Sequence, residues 1–185
     1  MGSLASASAR VLYMVAYTLA TGGAFAVVVA VSQPGEKGQR IGDLEGLWQV
    51  RPWLAVAMAI FMLSLLGFPI VGGLGFWAKW YVLLAAVVSA TPQNALAVIL
   101  VLTSVVSAGY YLGVIVAMFM QPRPADAAPM PAPAGLTRTV IVVAVVALLY
   151  FGVRPQLMVD LAKASAPMPA YLSAPGAPSP TAFIK

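Results

Sequence analysis

LAVAMAIFMLSLLGFPIVGGLGFWAKWYVLLAAVV, residues 54–88, is an apolar stretch that proline and glycine interrupt near its middle. The full hydrophobic segment runs from Trp53 to Ala90. It exceeds the roughly 20 residues that span a bilayer, yet it is too short for two spans and a loop. Pro69 cannot donate a backbone hydrogen bond, and the nearby glycines lower helix propensity. The sequence therefore predicts a discontinuous membrane helix, with halves at Trp53–Leu66 and Phe76–Ala90 and a non-helical break at Gly67–Gly75.

Lys79 is the only charged side chain between Arg51 and Arg123. Ionisable residues inside a membrane are costly and usually mark an ion or substrate path. A lysine can exchange its proton when its surroundings change, whereas an arginine stays protonated. The alternative is a lysine whose stem follows lipid to the headgroups, beside Trp80 and Tyr81. We expect Lys79 in the first turn of the second half-helix, roughly 16 Å from its far end, and this depth favours proton transfer.

Composition indicates an integral membrane protein. Of the 185 residues, 62% are hydrophobic and 8% are charged, whereas a soluble domain has about 25% charged residues. The fold class predicted is all-α, a polytopic transmembrane helix bundle with four membrane elements. The spans are expected at about Val11–Val31, 53–90 with its break near 67–75, Asn94–Met120 and Leu136–Val153. The first of these is longer than the roughly 7–15-residue apolar core of a signal peptide, so a spanning helix is the better interpretation.

The segments outside these spans are polar or rich in proline. A membrane domain over residues 1–165 is expected to precede a largely disordered Pro-rich tail at 166–185. Within that domain, Ser32–Pro52 and Gln121–Gly135 are expected as loops, and Gln156–Ser165 as a short interfacial helix. The basic residues of the loops favour a cytoplasmic position for the first and third loops, with both chain ends on the opposite side.

Missing residue types and scattered charges restrict the function. The chain has no cysteine and no histidine, which excludes disulfides, thiolate nucleophiles, histidine-bound haem, cysteine-bound iron–sulfur clusters and the usual zinc sites. The net charge is +5, but the basic residues form no run. We interpret them as membrane-flanking charges, so the expected partner is the lipid bilayer and not nucleic acid. No cofactor is expected on this chain.

Hydroxyl side chains recur along the third element at helical spacing. They lie three and four residues apart and therefore share one helix face: Thr103, Ser104, Ser107, Tyr110 and Tyr111. Such a stripe could hold ordered water beside Lys79, with Ser64 adding to the polar lining. The alternative is interhelical hydrogen bonding that contributes only to packing, worth roughly 0.6 kcal/mol each. The first element has a similar face with Tyr13, Tyr17 and Thr21, which we interpret as packing.

Four stretches resemble, in order, a known family: VLYMVAYTLATGGAFAVV (11–28), GDLEGLWQVRPWLAVAMAIFMLSLLGFP (42–69), GFWAKWYVL (75–83) and LAVILVLTSVVSAGYYLGVIVAMFM (96–120). They are similar to the C-terminal part of subunit N of bacterial NADH-quinone oxidoreductase, respiratory complex I. The resemblance runs from about Leu12 to Ala164. It is most specific around Lys79 and in SVVSAGYYL. This family belongs to the antiporter-like subunits, which resemble subunits of multisubunit cation/proton antiporters.

The resemblance implies a role for the chain in proton translocation coupled to NADH oxidation and quinone reduction. In that family the lysine of the late broken helix carries protons on a polar axis, and Lys79 matches it. Ser104, Ser107, Tyr110 and Tyr111 are then candidate lining of the proton path. NADH, FMN, iron–sulfur clusters and quinone would be held elsewhere in the complex, and the location would be the bacterial inner membrane. Partners would be other membrane-arm subunits and the upstream half of the subunit, so this chain is expected to be a split or truncated product.

Two other functions remain open at this stage. One is a subunit of a multisubunit sodium or potassium/proton antiporter, which would exchange cations without NADH. The other is a membrane scaffold with no ion path, in which Lys79 reaches the headgroups and its loss affects assembly alone.

Overall fold

The computed structural model describes residues 2–32, 41–69, 73–87, 93–124, 133–154 and 156–157, and its described elements are all helical. The helices are α1 (Gly2–Val31), α2 (Leu47–Val50), α3 (Pro52–Leu66), α4 (Leu74–Val87), α5 (Asn94–Met120) and α6 (Gly135–Val153). The tail at 166–185 and nearly all of the predicted interfacial helix lie outside the described residues.

Three of these helices are long and apolar enough to cross a membrane: Val11–Val31 within α1, α5 and α6. The shorter apolar helices α3 and α4 together form the discontinuous element. The predicted class, an all-α membrane bundle with four elements and an interrupted second element, is confirmed.

The predicted limits of the break were partly wrong. The first half-helix ends at Leu66, as expected, and Gly67 caps it in the left-handed region with φ of 77°. The second half-helix begins at Leu74, two residues before the predicted start. Lys79 therefore lies in the second turn and not in the first. Gly75, which we assigned to the break, belongs to α4. Because it has no side chain, α4 can begin in close contact with α3, as described below.

The connector before α3 is more ordered than its polar sequence suggested. It contains a 3-10 turn (Ile41–Leu44) and α2, and Leu44 and Leu47 are buried. Gly46 takes a left-handed conformation with φ of 65° and donates its amide to the Ala117 carbonyl at 3.2 Å. The described part of the connector thus packs on the C-terminal end of α5.

α1 is the central helix of the bundle, because it packs against α3, α4 and α6. One stripe of α1 is buried at nearly four-residue spacing: Leu12, Ala16, Ala20, Ala24 and Val27. Small residues of this kind let membrane helices approach closely. Gly23 shows this directly, since a Cβ there would lie 2.3 Å from the Phe61 ring. α5 packs on the outer side of α3 and α4.

Candidate functional site

The Lys79 side chain reaches back to the end of the first half-helix. Its Nζ donates to the Leu66 carbonyl at 2.9 Å and to Ser104 Oγ at 3.2 Å. The Leu66 carbonyl is among the last carbonyls of α3, which have no partner inside the helix and carry the negative end of its dipole. The ammonium is therefore held by a helix end and a hydroxyl, and it turns inward instead of following lipid to the headgroups.

The length of α3 indicates how deep this position would lie in a bilayer. A helix of 15 residues is about 22 Å long, while the hydrocarbon core is about 30 Å thick. The break and the amine bound to it therefore lie well inside the core when Pro52 is near one surface. Irregular backbone at such depth is tolerated only beside protein or a water-filled cavity.

Two glycines create the space for this arrangement. The Lys79 stem crosses Gly67, where an added Cβ would lie 2.8 Å from the lysine Cδ. A Cβ on Gly75 would lie 2.0 Å from the Ser64 carbonyl oxygen. The two half-helices are thus in backbone contact at the break, which places Lys79 within reach of Leu66.

A polar cavity of about 240 Å³ opens beside the amine. Besides Lys79, its lining includes seven hydroxyl side chains from three helices: Tyr13, Tyr17, Ser64, Thr103, Ser104, Ser107 and Tyr111. Its lining residues, all of them in the described part of the chain, include no carboxylate. Among the described residues, Lys79 is therefore the one charged group that lines this cavity.

The hydroxyls of α5 present acceptor oxygens to the cavity. Ser104 donates to the Leu100 carbonyl at 2.8 Å and Ser107 donates to the Thr103 carbonyl at 2.7 Å. Thr103 likewise donates to the Ile99 carbonyl at 2.8 Å. Because their protons are bound within α5, these oxygens can accept bonds from Lys79 or from water.

Ser64 adds a buried hydroxyl side chain to the lining of this cavity. It is only 2% exposed, and its Oγ has no hydrogen-bond partner among the described residues. The sequence-based suggestion that Ser64 adds to the polar lining agrees with this position.

The structure brings four of the five predicted stripe residues to the cavity, and Tyr110 is the exception. Tyr110 is 71% exposed and is not among the lining residues. At 100° per residue, Tyr110 lies at the edge of the face that Ser104, Ser107 and Tyr111 present to the cavity, and its side chain points outward.

The α1 tyrosines were not predicted as part of the site. Tyr13 and Tyr17 line the cavity, and their rings stack with centroids 6.0 Å apart. Interpreting this face as packing was therefore incomplete. Residues that share a face of one helix do not reveal which other helix that face contacts. The contact of α1 with α4 brings these phenols near Lys79.

A second, apolar groove lies on the other side of the amine. It runs between α4 and α5 and is lined by Lys79, Ser104 and apolar groups that include Phe76, Trp80 and Val105. Trp80 and Val105 are exposed, so this groove opens outward. Lys79 thus lines both a hydroxyl-lined cavity and an apolar groove. Across the described ranges, no group of three or more acidic, histidine or cysteine side chains could hold a metal ion.

Comparisons with known proteins agree with the fold. Residues 1–107 match the family model described as NADH:quinone oxidoreductase/Mrp antiporter, transmembrane. The chain is 46% identical over 178 residues to NADH-quinone oxidoreductase subunit N of Gemmatimonas aurantiaca, covering 96% of this chain and 34% of that protein. It is 43% identical over 150 residues to subunit N 2 of Roseiflexus castenholzii, covering 81% and 29%. The chain therefore spans about a third of the length of these curated relatives.

A solved structure is similar as well. A chain of respiratory complex I from Thermus thermophilus, determined with bound aureothin, aligns with a TM-score of 0.60 and 34% identity. The alignment covers 86% of this chain and 36% of that chain.

The bundle and its interrupted element define a polytopic α-helical membrane protein with a lysine bound at a helix break. The matches assign it more closely: the chain belongs to the NADH:quinone oxidoreductase/Mrp antiporter transmembrane family.

Proposed function

We propose that this chain takes part in proton translocation in the membrane arm of a bacterial NADH:quinone oxidoreductase, and that Lys79 carries the proton. The observation that supports this most is the position of its amine between the Leu66 carbonyl, Ser104 and the hydroxyl-lined cavity. Relatives named subunit N favour this function over a cation antiporter, although the matching family model includes both.

The chemistry follows from the groups around the amine. A protonated Lys79 donates to Leu66 and Ser104 and is stabilised by the end of α3. When Lys79 releases a proton to water in the cavity, its neutral amine loses the electrostatic attraction to the end of α3. A charge that a neighbouring subunit moves near Lys79 shifts the balance between the protonated and neutral states. The oxygens of Ser104, Ser107 and Tyr111 support the water on which the proton leaves, and Tyr13 and Tyr17 extend that lining.

The chain would act as one subunit of a larger assembly. Its partners would be other membrane-arm subunits, the surrounding lipid, and the part of the subunit that corresponds to the other two thirds of the relatives. NADH, FMN, iron–sulfur clusters and quinone would be bound by other chains of the complex. The assembly would lie in the bacterial cytoplasmic membrane and would belong to the translocases.

The test uses the assembled complex in membrane vesicles, with NADH oxidation and proton uptake measured together. Lys79→Ala should lower proton uptake per NADH several-fold, because the proton-carrying group is gone. Ser104→Ala removes one acceptor and should lower it by about threefold, whereas Thr139→Ala, an exposed hydroxyl of α6 bonded to its own helix, should leave it unchanged. Unchanged proton uptake in the Lys79→Ala complex would remove this lysine from the mechanism. Sodium- or potassium-driven proton exchange without NADH would instead favour the antiporter function.

A further inference from the structure

Trp77 is joined to the end of α6 by a bond that the proton path itself does not require. Its indole Nε1 donates to the Gly152 carbonyl at 3.0 Å. Gly152 lies in the last turn of α6, which ends at Val153, so its carbonyl is among those without a partner inside the helix. In an apolar interior, an indole N–H and a helix-end carbonyl would each be costly to leave unpaired. The bond therefore satisfies both groups and joins two helices.

The same end of α6 is in backbone contact with the break. A Cβ on Gly152 would lie 2.3 Å from the Gly73 Cα, and a Cβ on Gly73 would lie 2.6 Å from the Leu148 carbonyl oxygen. Gly73 immediately precedes α4, and Trp77 is four residues further, one helical turn along. α6 thus holds the start of α4 at two points one turn apart.

Lys79 lies on the opposite side of α4. It is two positions after Trp77, a rotation of about 200° around the helix axis. Trp77 therefore faces α6 while Lys79 faces α3 and α5, where it meets Leu66 and Ser104. α3 ends at Leu66 and α4 begins as a separate helix at Leu74, so contacts on the flanks of α4 help to set its rotation.

From this arrangement we propose that Trp77 is a positioning residue, whose bond to Gly152 fixes the rotation of α4 and thereby keeps Lys79 within reach of the α3 end. This inference rests on the proposed function, since Lys79 is the group being positioned. Loosening the α6 side should let α4 turn and should lengthen the contact of Lys79 with the Leu66 carbonyl.

The experiment compares three variants in the assembled complex in vesicles. Trp77→Phe keeps an aromatic ring beside Phe76 and Tyr81 but removes the N–H. Trp77→His keeps a ring with an N–H donor. Trp48→Phe is the matched control, because this indole of α2 is exposed, stacks on Phe119 and lines neither the cavity nor the groove beside Lys79. Proton uptake per NADH is measured against the amount of assembled complex, and electron cryomicroscopy gives the distance from Lys79 Nζ to the Leu66 carbonyl.

Trp77→Phe should lower proton uptake per NADH by about threefold, the effect of one intramembrane hydrogen bond, and should lengthen the lysine contact. Trp77→His should restore much of the uptake, and Trp48→Phe should behave as the unaltered complex. Unchanged uptake in Trp77→Phe, or equal losses in the Phe and His variants, would overturn the inference. If Trp77→Phe assembles poorly, the His variant and the measured lysine distance decide. Lys79→Ala distinguishes the proposed function from the positioning role. Normal proton uptake in the Lys79→Ala complex would defeat the proposed function. Lost uptake in Lys79→Ala together with normal uptake in Trp77→Phe would defeat the positioning role alone.

Discussion

The ammonium group of Lys79 is costly to place inside this apolar bundle. An unpaired charge in a low-dielectric interior is costly, so the group must find acceptors, lose its proton or reach water. Lys79 finds a helix-end carbonyl and a hydroxyl, both of which are neutral. Neutral acceptors bind an ammonium without the strong attraction of a carboxylate, and this suits a group that must release its proton as well as hold it.

Gly67 is the residue whose change should disturb this balance most directly. An alanine there is strained in the left-handed conformation, and its Cβ would lie 2.8 Å from the Lys79 Cδ. Strain of this kind costs about 1–3 kcal/mol, and the lysine stem must move. Gly67→Ala should therefore lower proton uptake per NADH in the assembled complex, measured in vesicles.

The matched control for Gly67 is Gly109→Ala, because Gly109 is a helical glycine of α5 whose added Cβ would meet nothing within 4 Å. That variant should pump normally. Equal behaviour of the two variants would show that the contact between Gly67 and Lys79 has no influence on the amine.

At the residue scale the sequence predicted Lys79 and the hydroxyl side chains of α5 as candidate site residues, but not every group that the structure places around the amine. Lys79 stood out because no other charge lies near it, and Ser104 followed from the hydroxyl spacing on one helix. The Leu66 carbonyl, Tyr13 and Tyr17 did not, because their proximity depends on how separate helices pack. Periodicity within one helix contains no information on that.

The interrupted element shows how local chain chemistry and packing act together. Proline and glycine predicted where the helix stops, since they weaken any continuous ladder of hydrogen bonds. They did not predict where it resumes, because the start of α4 is determined by contacts of Gly73 with α6 and of Gly75 with Ser64. These contacts require small residues on helices that are far apart in the sequence.

Gly152→Ala tests this packing at the scale of the elements. Its Cβ would lie 2.3 Å from the Gly73 Cα, a backbone atom that cannot move aside by a rotamer change. Overpacking typically costs about 1–3 kcal/mol, so the variant complex should unfold at lower temperature and assemble in smaller amounts. Thermal denaturation of the purified complex measures the effect. Gly135→Ala, at the open beginning of the same helix, should leave stability unchanged, and an unaltered Gly152→Ala complex would contradict the close contact of α6 with the break.

At the scale of the molecule, α5 is the least buried of the three candidate membrane spans in the described part of the chain. The most apolar window of this helix contains no buried residue, and its outward side chains include Val98, Leu102, Val105 and Val106. Extended apolar exposure of this kind marks a surface that meets lipid or protein. The relatives are about three times longer than this chain, so further chain is available in them to cover such a surface.

This exposure predicts how the chain behaves without its partners. In vesicles that contain it alone, lipid would fill the apolar groove of Phe76, Trp80 and Val105 beside Lys79. With lipid in this groove, water could not pass Lys79 on the groove side, and no water-filled path would cross the chain. Neither NADH nor a sodium gradient should then drive proton uptake. A pH-sensitive dye inside the vesicles measures this, with the Lys79→Ala chain as control. Sodium-driven uptake by the unaltered chain that is lost in the control would show that the described helices form a complete ion path, because no second chain is then needed to open the groove to water.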